Sequence, residues 1–321
     1  MSEELTVPDG PQGPGRGATQ QPDDRPERGD RPVARVRVVT DGSADLESEL
    51  ATEHALRVVP LDVRLGEFGP DVTSTWSAEE FWQMSAKVVE LPETSAPSPG
   101  AFLEAFSSLA DEGAEGIVCV ALSSKLSATY QAAVLGAESI ADRIEVRVVD
   151  SLFATMAQGL VALAAAEAAE AGGDVEAVAA AAASVRQRVR LYGALASLDN
   201  LRKGGRLGSA QALLGGLLDI KPVLEIRDGA LELESRPRTR QRSLDHIASK
   251  ARAAGELERL VVVHAAATDI DSFVDLLAAS FPRECISVGW LGPVIGAHVG
   301  QGTIAVAEQR APRPSPQAAD L

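Results

Sequence analysis

Gly116-Ile-Val-Cys-Val-Ala-Leu122, followed at once by Ser123-Ser-Lys-Leu-Ser-Ala-Thr-Tyr-Gln131, is the stretch on which the fold turns. The first seven residues form an unbroken apolar run of strand length, the pattern of a buried strand. The next nine place hydroxyl groups at the end of that strand, ahead of an Ala-rich helical pattern over 132–140. A strand that ends in hydroxyls opening a helix aims side-chain O–H and free backbone N–H groups at one place. The first turn of a helix carries partial positive charge, so that place favours an anion. Ser127 can equally act as a plain helix cap.

A second segment, Thr94-Ser95-Ala96-Pro97-Ser98, also sets hydroxyls just before a helical pattern, over 100–111. Two such entrances on neighbouring strands of one sheet converge at its carboxyl edge, where open α/β sheets bind ligands. Short β-branched runs at 36–39, 58–63, 117–122 and 146–149 alternate with helical segments, the mark of βαβ units and a mostly parallel sheet. Beyond Ala154 come two Ala-rich helices joined at Gly172-Gly173, then strands at 192–196, 221–226, 230–235, 260–264, 286–290 and 303–307. Asp228-Gly229 between two alternating runs predicts a hairpin, so this second sheet holds antiparallel strands. The expected fold is α/β with two domains: a mostly parallel, Rossmann-like domain over 35–156 and a second α/β domain over 157–308. Residues 1–34, with six prolines and few large apolar side chains, and residues 309–321 read as disordered tails.

The chain has 321 residues, 45% of them hydrophobic and 24% charged, with a net charge of -16. That balance suits a globular protein and argues against nucleic acid, since phosphate binding needs clustered Lys and Arg. The opening Met1-Ser-Glu-Glu-Leu5 has no basic-then-apolar leader pattern, and the Ala-rich stretch 159–189 is broken by charges and glycines. A cytoplasmic protein without an integral membrane segment is expected. Cys119 and Cys285 both fall in predicted strands and read as buried, reduced thiols. The spacing of His54, His246, His264 and His298 fits no metal site, so no metal is expected.

Taken together these residues resemble the DegV family of bacterial fatty-acid-binding proteins. Val39-Thr-Asp-Gly-Ser-Ala-Asp-Leu46 is similar to the family's opening strand and turn, Val58-Val-Pro-Leu61 to its second strand and Val148-Val-Asp-Ser151 to its fourth. Leu201-Arg-Lys-Gly-Gly-Arg-Leu207, Asp219-Ile-Lys-Pro-Val223 and Gly296-Ala-His-Val-Gly-Gln-Gly302 resemble later signatures in the same order, so the likeness spans residues 35–308. It implies a two-domain fold with a ligand between the domains: a long-chain fatty acid, with no other cofactor. It also implies that Thr94 and a serine of the 123–127 loop hold the carboxylate, Ser127 ahead of Ser124, with Ser95 and Thr129 flanking. His298, among the glycines of a connection over 292–298, matches a histidine near the head group. The same likeness implies a non-catalytic protein that hands its fatty acid to a separate fatty acid kinase. Arg206 and Arg238, in two basic runs of an acidic chain, then serve that docking; a glycine turn with solvated cations explains the first run equally well.

Chemistry supports this division of labour. Each buried methylene contributes roughly 0.8 kcal/mol, so about fourteen give on the order of 11 kcal/mol before ordering costs. One charge-assisted hydrogen bond adds only about 1.5–3 kcal/mol. Aliphatic walls therefore set affinity, and hydroxyls set direction. Asp41, Ser43, Asp150 and Ser151, at the same sheet edge, line the cleft or hold turns. Two enzyme readings compete: a Ser hydrolase or acyltransferase built on Ser127 or Thr94, and an enzyme like the dihydroxyacetone kinases. The first lacks a Gly-x-Ser-x-Gly elbow and the second a Gly-rich phosphate loop ending in Lys.

Overall fold

The computed structural model describes residues 35–207 and 220–312. The tail expected over 1–34 and residues 313–321 of that expected over 309–321 lie outside the described residues.

The first strand, β1 (Val36–Asp41), runs into a 3-10 turn and α1 (Ser48–Glu53) before β2 (Arg57–Val59). The single strand expected over 58–63 is in fact two. Pro60 has no amide hydrogen for a ladder, so β2 stops at Val59 and the chain restarts as β3 (Asp62–Arg64) in a different sheet. An excursion through α2 (Pro70–Thr73) and α3 (Ala78–Ser85) returns as β4 (Glu93–Ser95), which pairs antiparallel with β3, Val63 opposite Thr94. Ser77 closes a reciprocal capping box with Glu80 at the start of α3, which fixes where that helix begins. Thr94 thus arrives on a two-stranded ribbon, not on a neighbouring strand of the main sheet as expected.

Next come α4 (Pro99–Asp111), β5 (Gly116–Ala121), α5 (Thr129–Glu138) and β6 (Glu145–Asp150). Strands β2-β1-β5-β6 form a wholly parallel sheet. All six residues of β5 are buried, as its unbroken apolar run requires of an inner strand covered on both faces. Phe102, Phe106, Leu109 and Ala133 of α4 and α5 cover one face.

The other face meets α6 (Thr155–Glu170) and α7 (Val175–Arg188), which turn at Gly172 with φ of 86°. All but three of the 16 residues of α6 are buried. Alanine and glycine make that possible; a Cβ on Gly159 would stand 3.0 Å from the Ala44 carbonyl.

The rest of the chain builds a six-stranded mixed sheet. It comprises β7 (Val189–Ala194), α8 (Asp199–Lys203), β8 (Val223–Arg227), β9 (Ala230–Ser235), α9 (Arg240–Ala253), β10 (Leu257–His264), α10 (Ile270–Ala278), β11 (Ile286–Trp290), α11 (Pro293–Val299) and β12 (Ile304–Arg310). The strand order is β11-β10-β12-β7-β8-β9, with β10 and β11 the parallel pair. The Asp-Gly hairpin is present: Asp228 and Gly229 both have positive φ, 48° and 82°, as a type I′ turn demands.

Val118 and Val120 of β5, Leu160 and Val161 of α6, and Val261 and Val263 of β10 share one apolar core. The α6–α7 pair is therefore a helical layer common to both sheets, and α9 and α10 cover the far face of the mixed sheet through Ile247 and Phe273. Three expectations need correction. The segment over 292–298 is the helix α11, not a connection. The last strand, expected over 303–307, runs from Ile304 to Arg310 and buries Gln309. Cys119 is buried in β5, but Cys285 is exposed in a 3-10 turn ahead of β11.

Candidate functional site

The loop after β5, the β3–β4 ribbon, α11 and the inner face of the mixed sheet enclose a cavity of about 390 Å³, the size of a typical small-molecule site. Its walls are aliphatic: Leu122 and Leu126 after β5, Leu191 of β7, Leu224 and Ile226 of β8, and Val294 of α11. Polar groups are few, and two meet directly. Thr94 Oγ1 lies 2.9 Å from His298 Nε2, a contact spanning the β3–β4 ribbon and α11.

The pattern of glycines explains how His298 is held. Asn200 of α8 donates its side-chain N–H to the Ala297 carbonyl at 3.1 Å. Gly204 follows, and a Cβ there would stand 2.8 Å from His298 Nδ1. Gly205 then takes φ of 70°, which turns the chain so that Arg206 returns to the cavity wall. The Leu201–Leu207 motif is thus a clasp on the C-terminal end of α11. Burial, reinforced by the nearby Arg206 charge, pushes His298 down to about 4, so its imidazole is neutral at pH 7. Neutral, it can donate one ring N–H and accept at the other nitrogen.

The remaining predicted residues divide clearly. Ser127 lines the cavity but is not the residue that caps α5; Ala128 holds the cap position without a side-chain bond. The Ser127 hydroxyl instead sits 2.9 Å from Thr129 Oγ1 and accepts the Thr129 N–H at 3.3 Å. Ser95 also lines the cavity, while its hydroxyl donates to Asp62 at 3.4 Å. Ser124 is exposed and is not among the lining residues; its backbone N–H donates to the Asp150 carboxylate at 3.3 Å. Arg206 lines the cavity, whereas Arg238 is exposed and does not.

Asp41 serves the scaffold. It is fully buried, accepts the Leu122 N–H at 2.8 Å and the Gln158 side-chain N–H at 3.1 Å, and also bonds the Ser43 hydroxyl. That network ties the start of the 123–127 loop to β1 and α6. Burial raises the Asp41 carboxyl above its ordinary range, and these hydrogen bonds oppose the rise. Asp150 likewise accepts the backbone N–H groups of Ser124 and Leu152, holding the same loop from the β6 side.

Sequence reasoning missed Gln158, Asp45 and Thr155. Gln158 carried a usable signal, one amide in the apolar opening of an Ala-rich helix. Thr155 lines the cavity at φ of 49°, a strained conformation for a β-branched residue. Both carboxylate oxygens of Asp45 are buried beside Gly292, and burial pushes this group up to about 7. Among the described residues no cluster of three or more His, Cys, Asp or Glu could hold a metal ion, and no helix is long and apolar enough to cross a membrane.

Known proteins share this architecture. The family model "Uncharacterised protein, DegV family" matches residues 35–310. The DegV domain-containing protein SCO2569 of Streptomyces coelicolor is 38% identical over 279 residues, 84% of this chain and 97% of its own. A fatty-acid-binding DegV family protein from Thermus thermophilus superposes with a TM-score of 0.76 at 32% identity, covering 86% of this chain and all of its own. DegV of Bacillus subtilis, described as a fatty acid binding protein, superposes at 0.77 with 28% identity, over 86% of this chain and 99% of its own. The family model and the curated relative each cover most of the chain, and the chain belongs to the DegV family.

Proposed function

We propose that this protein binds a long-chain fatty acid in the cavity, the carboxylate at the Thr94–His298 end and the acyl chain along the aliphatic walls. The observation that carries the reading is the Thr94–His298 pair, hydrogen-bonded to each other on the wall of a cavity whose larger side chains are mostly Leu, Ile and Val. The tail supplies affinity through burial, and the polar end orients it. Thr94 donates its hydroxyl to the carboxylate, the neutral His298 ring orients that hydroxyl, Ser127 adds a second hydroxyl, and Arg206 supplies the compensating charge. Ser95 stands beside Thr94 on β4 as a flanking contact, and Ser124 takes no direct part in this reading.

In this reading the protein is a carrier. The lobes over 35–156 and 157–308 enclose the ligand, no second cofactor is needed, and the complex works in the cytoplasm by presenting the acid to a partner kinase that forms the acyl-phosphate. The exposed Arg238 and the rim position of Arg206 support docking of an acidic partner surface.

One observation favours a second reading. A hydroxyl 2.9 Å from a histidine nitrogen is also a nucleophile–base pair. A hydrolase would need a group to orient the other ring nitrogen, and His298 Nδ1 instead abuts Gly204. Denaturing extraction and mass spectrometry of the purified protein decide between them. A stoichiometric saturated or monounsaturated fatty acid is expected, with no turnover of acyl esters. Absence of extractable lipid together with no binding of added palmitate or oleate refutes the carrier reading.

A further inference from the structure

Trp82 does not line the cavity, yet it sets the helix that carries His298. Its ring is 2% exposed, and its indole N–H donates to the Leu291 carbonyl at 2.8 Å, immediately before α11 begins. The same ring fills the space above Gly296, in the middle of α11. A Cβ on Gly296 would lie 2.3 Å from Cζ2 and 2.7 Å from Cη2 of Trp82, so only glycine admits the ring. Gly296 and His298 are two residues apart on a helix, so their side-chain directions differ by about 200°. The Trp82 ring therefore presses on one face of α11 while Thr94 meets the opposite face.

Both grips come from a single chain segment. Trp82 lies on α3 and Thr94 on β4, at the middle and the end of the excursion that leaves the fold at β3. Phe81 supports the indole edge-on, with ring centroids 5.3 Å apart, and is itself fully buried. One chain segment thus carries Thr94 and also grips the helix that carries His298.

We propose that Trp82 is a positioning residue for the carboxylate site: by holding Leu291 and filling the notch at Gly296 it fixes α11 and so sets the Thr94–His298 contact. The proposal rests on the reading of that contact as the head-group site. Trp82→Phe removes the N–H donor and the outer ring atoms while keeping an aromatic ring. Gly296→Ala drives a methyl into the intact indole. The double substitution relieves the collision, because Phe has no Cζ2 or Cη2.

The test compares palmitate with 1-hexadecanol as competitors of a fluorescent fatty acid, and follows the His298 ring by NMR titration. Trp82→Phe is expected to weaken palmitate about fivefold while hexadecanol changes by less than about twofold, since only the carboxylate depends strongly on the aligned donors. The His298 midpoint should rise from about 4 toward the ordinary histidine value as α11 loosens. Gly296→Ala should weaken palmitate further, and the double variant should return to the Trp82→Phe level. If Gly296→Ala does not fold, Trp82→Phe alone decides. Equal losses for both ligands with an unmoved His298 midpoint would reduce Trp82 to a fold-stabilising residue and overturn the proposal, as would unchanged palmitate affinity in Trp82→Phe. Thr94→Ala separates the two levels. If it too leaves palmitate binding intact, the head-group reading fails and takes this proposal with it; if it weakens binding while Trp82→Phe does not, only the positioning role fails.

Discussion

The Ser123 hydroxyl donates to the carbonyl of Gly229 at 2.7 Å, joining the loop after β5 to the hairpin between β8 and β9. These two segments belong to different sheets and border the same cavity. A Cβ on Gly229 would lie 2.8 Å from Ser123 Oγ and 3.0 Å from Leu152 Cδ2, and its φ of 82° already disfavours a side chain. Gly229→Ala should therefore destabilise by about 1–3 kcal/mol. Ser123→Ala should cost about 1–2 kcal/mol, because it removes the bond to Gly229 and the one in which the same hydroxyl accepts the Lys125 N–H at 3.3 Å. Urea denaturation measures both, and an alanine at 229 that leaves the midpoint unchanged would contradict the close contact.

Thr94→Ala and Ser127→Ala each delete one donor while leaving the aliphatic walls intact. Palmitate binding should weaken by about 1.5–3 kcal/mol in either variant and should not vanish. Displacement of a fluorescent fatty acid reads this directly; wild-type affinity in both places the carboxylate elsewhere.

His298 gives a pH signature with a definite sign. Its folded midpoint, about 4, lies below the ordinary 6.5, so the neutral ring stabilises the fold above pH 6.5 and that contribution is lost as pH falls through 4. A bound carboxylate beside the ring favours the imidazolium and should move the midpoint upward. NMR titration of the ring with and without palmitate should show the shift, and coincident curves would place the charge away from His298.

Asp45 carries the opposite sign. Burial raises its carboxyl from 3.8 to about 7, so the folded state holds a proton that the unfolded chain has already lost. Stability from this group is full below pH 4 and declines as pH rises to 7, by a total on the order of 4 kcal/mol. Asn tolerates the left-handed backbone at this position, where φ is 52°. Asp45→Asn should thus raise the unfolding midpoint at pH 8 and leave it unchanged near pH 4; a variant less stable at pH 8 would mean the ionised carboxylate is well solvated.

The two arginines should separate on charge reversal. Arg238→Glu leaves fatty-acid affinity unchanged, because Arg238 is not on the cavity wall. Arg206→Glu places a negative charge there and should weaken palmitate at least tenfold. Transfer to a partner kinase, assayed on the same preparations, should fall for both. Normal palmitate affinity in Arg206→Glu would return that residue to a docking role alone.

The sheets were legible because their signals are local. The apolar run at 116–122 and the Asp-Gly pair at 228–229 each specify their element through side-chain pattern and backbone preference within a few residues. The split at Pro60 shows where pattern fails: the β-branched run continues across it, and the missing amide hydrogen decides the outcome. Thr94, Ser127 and His298 were visible as hydroxyls near a helix start and as a histidine among glycines. Ser124 carried the same local signal, yet its backbone is turned toward Asp150. Trp82 and Asp45 had no such signal. Their importance comes from Gly296 and Gly292, more than 200 residues away in the chain, and pairings of that range are set by the whole fold.

Helix α6 has a consequence for how a ligand enters. A helix packed on nearly every side by both sheets cannot roll or slide without opening gaps along its length. The wall it backs is therefore the unyielding one; if the cavity takes a long acyl chain as proposed, its passage falls to the opposite wall, where short elements (the β3–β4 ribbon and α11) meet. Hydrogen exchange should record this as a gradient, slowest along 157–166 and fastest through the largely exposed stretch 86–90 between α3 and β4, with the entrance opening where exchange is quickest.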